Sequence, residues 1–402
     1  MVRTIGTEER RARLARRHHL GAASRSDDVV EIVRDLVALH STDPASVFLS
    51  LMTRSDTVDA SAVEQALYVD RSLLRMLGMR RTVWVVPVGM AAIVHGACTR
   101  AIEVRERRRL VRFLAEGGVT DEGDAWLAEV ETATMLALAA RGEATATEVA
   151  ADVAGLKQQL HLGVGTKWEA VQNASGKVLF LLAASGRIVR GRPRGSWISS
   201  QYRWSPATSW SAGLAGHTWL PAPVAQVELV WRWLASFGPG TVADLAWWTG
   251  LTLGEVRRAV AILPTVEVDL GRGPAGSAGS AGLVLADDVD PVDPPPPAAA
   301  LLPALDPTVM GWKQRSWYLG DHGSALFDRS GNAGPTVWWD GRIVGGWAQR
   351  KSGEITFRML DGDVPAEAAV EVEAEAARLQ ALIGAVRVTP RFRTPLEREL
   401  SS

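Results

Sequence analysis

The sequence contains one cysteine, Cys98, in 402 residues. A single thiol excludes an intramolecular disulfide framework and a metal site built from clustered thiolates. No run of ~18 apolar residues occurs, so we expect no transmembrane helix. The basic N-terminal stretch MVRTIGTEERRARLARRHHL has no apolar core and no small-residue cleavage site, so we expect no secretory signal. These absences predict a protein of the reducing cytoplasm.

The sequence also has no large excess of positive or negative charge, since its net charge is −1 at pH 7. This balance argues against a generally polycationic protein, but a phosphate-binding face needs only local charge. Local charge is present. Residues 1–20 carry six arginines against two glutamates, and residues 187–204 carry five arginines and no acidic residue.

No phosphate-binding glycine loop, metal-ligand cluster or nucleophile elbow occurs in the sequence. We therefore expect no cofactor and no metal.

The length predicts two to four domains, and the pattern of helices and strands predicts an α+β fold that is mainly α. Helices are expected near 124–141, 147–155 and 166–184, followed by two short strands around the arginine-rich turn at 187–204. This helix–helix–helix–hairpin order is typical of a winged helix. GPGTVADLAWWTGLTLGEVRRAVAIL favours a helix-turn-helix at 241–262, with a plain helical hairpin as the alternative.

The expected organisation divides the chain into five parts. They are an N-terminal winged-helix-like unit at 1–120, a winged helix with a basic wing at 121–215, another winged helix at 216–270, a Gly/Pro-rich linker or loop at 271–300, and a β-rich, barrel-like unit at 301–402. Within them, 80–86 and 386–390 are expected strands, 365–383 an expected helix, and Asp340-Gly341 an expected hairpin turn.

Several segments resemble one known family. LLPALDPTVMGWKQRSWYL, LFDRSGNAGPTVWWDGRIVGGWAQR, FGPGTVADLAWWTGLTLGEVRRA and LHSTDPASVFLSLMTR are similar to the winged-helix DNA-binding family that includes the AlkZ- and YcaQ-type DNA glycosylases. The resemblance implies tandem winged helices that form a concave basic surface for double-stranded, possibly damaged, DNA. It also implies hydrolysis of the N-glycosidic bond of alkylated or crosslinked bases.

In that family a Gln-x-Gln or Gln-x-Asp motif supplies the hydrolytic chemistry, and His40-Ser41-Thr42 stands at the matching positions. His40 could orient or deprotonate a water, Thr42 could hold it, and Asp43 could stabilise a sugar cation. The alternatives are that His40 packs at the end of a helix and that Asp43, which precedes Pro44, caps the next helix.

Arginines and one tryptophan are the candidates for DNA contact. They are Arg13, Arg16, Arg17, Arg80, Arg81, Arg187, Arg190, Arg192, Arg194 and Trp197. Phosphate or minor-groove contact suits the arginines of a hairpin, whereas a solvated loop or structural ion pairs are the alternatives. The remaining tryptophans of the C-terminal half are expected in the core.

The enzymatic activity is left open at this point. The candidates are a DNA glycosylase, a non-catalytic DNA-binding protein such as a lesion sensor or transcriptional regulator, and a protein-interaction module. We expect a monomer that is cytoplasmic and associated with the nucleoid.

Overall fold

A computed structural model of the chain describes residues 2–163, 165–167, 169–211, 214, 219–271 and 280–402. It is 47% helical and 18% strand, which confirms the expected α+β class with mainly α content. Among these residues, no helix is long and apolar enough to cross a membrane. Within the same ranges, no three His, Cys, Asp or Glu side chains are grouped to hold a metal ion.

The N-terminal part consists of a lone helix and then a helix–strand–helix–helix–strand–strand segment. Its elements are α1 (Thr7–Arg17), α2 (Val29–Asp35), β1 (Leu39–His40), α3 (Pro44–Thr53), α4 (Ala60–Glu64), β2 (Leu73–Leu77) and β3 (Val83–Pro87). Strand β3 lies between β1 and β2. The expected strand at 80–86 begins only at Val83, because Arg80 and Arg81 have positive φ angles of 53° and 61° and form the tight turn from β2 to β3.

The middle part begins with two further helices and then repeats the helix–strand–helix–helix–strand–strand order, with an additional pair of strands before the third helix of the repeat. Its elements are α5 (Ala91–Val94), α6 (Arg100–Glu116), α7 (Gly123–Arg141), β4 (Ala144–Thr145), α8 (Ala146–Asp152), β5 (Gln159–Leu162), β6 (Ala170–Asn173), α9 (Ser175–Ala184), β7 (Ile188–Pro193), β8 (Tyr202–Pro206) and α10 (Ala207–Trp210). Strand β8 lies between β4 and β7. The expected helix at 166–184 begins only at Ser175, because Ala170–Asn173 forms β6, which pairs antiparallel with β5.

The same order occurs once more in α11 (Ala222–Phe237), α12 (Val242–Thr249), α13 (Leu253–Val260), β9 (Thr265–Asp269) and β10 (Ala281–Leu285). The helix-turn-helix is confirmed in its helices. Capping boxes begin α12 and α13, and Gly250 turns the chain between them with a φ of 75°. The expected linker contains β10, which pairs with β9. Its residues 272–279 lie outside the described ones.

The C-terminal part is a sheet with helices. Its elements are β11 (Ala299–Leu302), α14 (Ser316–Leu319), α15 (Gly323–Leu326), β12 (Thr336–Trp339), β13 (Arg342–Gln349), β14 (Ile355–Met359), α16 (Ala366–Ile383) and α17 (Pro395–Leu400). The hairpin at Asp340-Gly341 and the helix at 365–383 are confirmed.

Two expectations for this part are wrong. The sheet order is β11-β12-β13-β14 with unjoined edges, so the described strands form an open sheet and not a barrel. Residues 386–390 are not a strand, because the Val388 N–H donates to the Gln349 side chain instead of to a neighbouring strand.

One hydrophobic core joins the N-terminal segment to the helix-turn-helix and the C-terminal sheet. Its largest members are Trp84, Trp233, Trp248, Trp312 and Trp338, each at most 2% exposed. The middle segment has a core of its own. Trp317, Trp339 and Trp347 are also buried, which confirms the expectation for these rings, whereas Trp247 stays half-buried.

Candidate functional site

The segment His40-Ser41-Thr42-Asp43 joins β1 to α3. Pairing of β1 with β3 sets His40 beside Trp84, and the two rings lie 4.8 Å apart. His40 is 6% exposed, and its Nδ1 atom lies 3.4 Å from the backbone nitrogen of Thr42. If Nδ1 accepts this N–H, the proton of the neutral ring is on Nε2. His40 is therefore packed, but at the end of strand β1 and not at the end of a helix. Its catalytic role stays a prediction.

Burial, and to a smaller extent the charge of Arg80, lower the pKa of His40 to about 3. The imidazole is consequently neutral at physiological pH. A neutral imidazole can orient a water through a hydrogen bond, but one with so low a pKa is a weak proton acceptor. The environment of His40 favours orientation over proton abstraction.

The stability of the protein is expected to fall on acidification partly through His40. The His40 imidazole is protonated near pH 6.5 in the unfolded chain but only near pH 3 in the folded protein. Its contribution to the free energy of unfolding is therefore fully present above pH 6.5 and decreases as the pH falls toward 3. His40→Phe removes that proton uptake. As the pH is lowered from about 6 to about 4, the free energy of unfolding of this variant should decrease more slowly than that of wild type, by about 1.4 kcal/mol per pH unit. Urea denaturation of both proteins across this range measures the difference, and parallel curves would contradict the prediction.

Asp43 caps α3 in the way that its position before Pro44 predicts. Its Oδ1 atom accepts the N–H of Ala45 at 3.2 Å, and its Oδ2 atom accepts the N–H of Arg391 at 2.9 Å. Burial raises the pKa of Asp43, and the two backbone N–H groups oppose that rise. Both carboxylate oxygens thus serve backbone groups, and the side chain lines a small cavity with Trp347 and Gln349. A catalytic role for Asp43 remains a prediction.

A groove of about 630 Å³ opens over the motif segment. Ser41 and Thr42 contribute to it from one side, and the turn at Thr145–Thr147 and the β7–β8 hairpin contribute from the other. Its charged side chains are Arg190, Arg194 and Arg391, and no carboxylate is among the described residues that line it. The groove is therefore a positively charged surface around the motif.

A buried cation, Arg75, lies behind the groove. Its Nε atom donates to Ser41 Oγ at 2.7 Å and its Nη1 atom to the Tyr68 hydroxyl at 2.8 Å. The guanidinium also faces the ring of Tyr202 at 4.7 Å. Arg75, Tyr202 and Arg391 are residues of this site that the sequence did not predict. A charge within the apolar strand LLRML was the available signal for Arg75, since buried charges need partners.

The structure separates the arginines of the β7–β8 hairpin into two groups. Arg190 and Arg194 line the groove. Arg190 lies 4.6 Å from the Trp204 ring, and burial lowers its pKa to about 10. Arg187 and Arg192 form ion pairs with Glu131 and Glu64 instead, as the structural alternative predicted.

Trp197 does not reach the surface. It is 6% exposed and packs 5.0 Å from the ring of Phe48. The ring packs in the core, and its predicted contact with DNA stays a prediction.

The N-terminal arginines lie away from the groove. Arg13 is 1% exposed and pairs with Glu9 and Asp288. Its predicted DNA contact stays a prediction. Arg17 pairs with Asp288 and donates to the backbone of Gly238. Arg16 is exposed beside a separate cavity walled by prolines 294–297, and its role stays a prediction.

The two arginines of the β2–β3 turn differ in their partners. Arg81 pairs with Glu106 at 3.0 Å. Arg80 instead lies over the ring of Trp247, 4.3 Å from its centre. Burial and Arg315 lower the pKa of Arg80 to about 10. The turn thus presents one neutralised and one unneutralised arginine.

Comparison with known proteins gives a consistent relationship. A family model described as DNA glycosylase AlkZ-like matches residues 33–382. The solved structure of the Streptomyces sahachiroi DNA glycosylase AlkZ is similar with a TM-score of 0.70 and 18% identity, over 94% of this chain and 97% of that chain. At this identity the likeness shows a shared fold. No curated protein matches the chain. The family model runs from α2 through the motif, the groove and the C-terminal sheet into α16, and the chain therefore belongs to the AlkZ-like family of DNA glycosylases.

Proposed function

We propose that this protein is a monofunctional DNA glycosylase that hydrolyses the N-glycosidic bond of alkylated or crosslinked bases in double-stranded DNA. The groove is the observation that supports it most. The motif segment borders the groove, three arginines line it, and its described lining residues include no carboxylate. Such a surface suits the phosphates of a duplex, which supply most of the electrostatic affinity in DNA binding.

We interpret the three repeated segments as tandem winged helices. In each segment the last strand pairs on both of its sides. Strand β3 pairs with β1 and β2, and β8 pairs with β4 and β7. Strand β10 pairs with β9 and, through Leu283, forms a bridge to Gly240 just before α12. The β7–β8 hairpin is then the wing of the middle unit, and Arg190 and Arg194 are placed where a wing meets a phosphate or the minor groove. The β2–β3 turn is the corresponding wing of the first unit.

The chemistry proposed for this site needs little acid assistance. An N7-alkylated base is cationic, so when its bond to C1′ breaks the electron pair goes to the base and neutralises it. Water then bonds to C1′ and releases a proton to a neighbouring group or to solvent. The protein has to position that water and stabilise the sugar cation. Thr42 at the groove and the neutral imidazole of His40 are the groups proposed to hold the water.

A non-catalytic DNA-binding protein on the same scaffold is the second candidate. Two observations favour it: both oxygens of Asp43 accept backbone N–H groups, and His40 and Thr42 stand where the resembling glycosylases have glutamine or aspartate. Either role would place the protein on nucleoid DNA in the cytoplasm, and we expect it to act as a monomer.

Incubation with duplex DNA carrying N7-alkylguanine tests the proposal. Alkali converts each abasic site into a strand break, so a glycosylase should give breaks at the lesion above the no-protein control and none in unmodified duplex. The same duplex should bind with an affinity that falls steeply as salt rises. Salt-dependent binding without breaks across several lesions would reject the glycosylase in favour of the non-catalytic candidate. Absence of binding at low salt would reject both and leave a protein-interaction module.

A further inference from the structure

Trp247 lies between two arginines from distant parts of the chain. The guanidinium carbon of Arg80 is 4.3 Å from the centre of its ring, and that of Arg315 is 5.0 Å away. Arg315 also faces the ring of Phe327 at 4.9 Å. The half-buried indole on α12 thus makes cation–π contacts with both guanidinium groups.

Neither cation has an acidic partner among the described residues. Other arginines do have one: the buried Arg13 and the half-buried Arg17 share Asp288, and the exposed Arg81 pairs with Glu106. For Arg315 the hydrogen bond that the structure gives is a long one to Met310 Sδ, at 3.9 Å. The Nε atom of Arg80 is buried without a hydrogen-bond partner in the described structure. The positive charges of Arg80 and Arg315 therefore lie close together, and N–H donors of these side chains have no hydrogen-bond partner among the described residues.

The backbone fixes this arrangement on the Arg80 side. Arg80 has a φ of 53°, which is uncommon for a residue other than glycine. The turn of the helix-turn-helix packs directly on it. A Cβ atom at Gly250 would lie 3.0 Å from the backbone nitrogen of Arg80, so these two turns fit only with a glycine at that place. Residues with uncommon φ and ψ angles, kept in place by the packing around them, are frequent at binding sites.

We propose that Arg80 and Arg315 form a clamp for one phosphodiester of the DNA backbone, with Trp247 as the support that orients both guanidinium groups. A phosphodiester accepts several N–H donors at once, and its single negative charge would attract both guanidinium groups and reduce the repulsion between them. The clamp rests on the proposed function and extends it. Because β3 begins directly after this turn and pairs with β1 at His40, the clamp lies on the side of the motif formed by the β2–β3 turn, and the arginine-lined groove would provide further contacts.

The test compares Arg315→Gln with a matched control, Arg358→Gln. Arg358 is exposed and already neutralised by Glu399 at 2.8 Å. For Arg315→Gln the slope of log affinity against log salt should fall by about 0.9, as expected for one phosphate. Duplex affinity at moderate salt should fall by about tenfold. Its melting temperature without DNA should be unchanged or higher, because the repulsion from Arg80 is removed. Arg358→Gln should match wild type in both measurements.

Arg315→Lys is the second variant, since it keeps the charge. It should retain the wild-type salt slope with weaker binding, because an ammonium group cannot reproduce the two-donor geometry of arginine. A wild-type slope in Arg315→Gln would overturn the clamp while the proposed function stands. A lower melting temperature in both Arg315 variants with unchanged affinity would show a structural role and overturn it too. Failure of the wild-type protein to bind duplex at any salt would instead reject the proposed function. If inorganic phosphate alone, at concentrations below those of ordinary buffers, raises the melting temperature of wild type but not of Arg315→Gln, free phosphate and not DNA is the ligand.

Discussion

Replacing His40 by phenylalanine is expected to slow the release of an N7-alkylated base by about 10²–10³-fold, the range for losing one hydrogen-bonding group that acts in the transition state. Phenylalanine keeps a ring in the space beside Trp84 and removes both ring nitrogens. Duplex affinity should remain near wild type, because His40 is buried and the proposed phosphate contacts come from arginines. Single-turnover release from a lesion-containing duplex measures the effect separately from binding.

His40→Gln is the matched control for this experiment. A glutamine side chain restores a hydrogen-bonding group, and glutamine stands at this position in the motif of the resembling glycosylases. We expect its rate to stay within about tenfold of wild type. Equal rates for wild type and His40→Phe would show that His40 is a packing residue and would remove it from the mechanism.

Arg54→Met is expected to destabilise the protein by about 3–5 kcal/mol, the cost of leaving a buried charge without its partner. Arg54 and Asp306 are both fully buried and joined by two hydrogen bonds of 2.8 Å. Arg54 also donates to the carbonyl oxygens of His18 and Ser50. This network ties α3, and with it the motif segment at its N-terminus, to the loop that follows β11. Loss of the arginine leaves the carboxylate of Asp306 in the core.

Urea denaturation of Arg54→Met beside Arg358→Gln measures this cost. Breaking the exposed pair of Arg358 and Glu399 should change the free energy of unfolding by at most about 1 kcal/mol. The double variant Arg54→Met with Asp306→Leu should recover part of the loss, since apolar replacement of a whole buried pair is often tolerated. A loss in Arg54→Met as small as that of Arg358→Gln would mean that water or a rearranged side chain satisfies Asp306.

Much of the local structure was predictable because its causes are local. Asp43 before Pro44 predicts the start of α3, and the described structure places the cap there. The helix-turn-helix follows from short-range signals, namely a capping box at each helix and glycine at the turn. The hairpin at Asp340-Gly341 likewise depends on two residues that tolerate positive φ.

Other local predictions failed where distant contacts dominated. A helix was expected from residue 166, but Ala170–Asn173 forms β6, which pairs antiparallel with β5, and the helix begins at Ser175. Tertiary pairing of this kind overrides local propensity. The C-terminal sheet was expected to close, and whether the edge strands of a sheet meet depends on the packing around them and not on the pattern within a strand.

The sequence by itself determined the family, the mainly α fold class, the position of the motif segment and the two arginine-rich stretches. The tertiary structure decided which charges remain available. The charge of Arg13 is neutralised by Asp288, 275 positions away, whereas Arg190 and Arg194 line a groove whose described lining residues include no carboxylate. It also buried Trp248 and left the adjacent Trp247 between Arg80 and Arg315. The physical reason is that the free energy of a charge or ring depends on the groups around it in space, and the fold brings those groups together from distant positions.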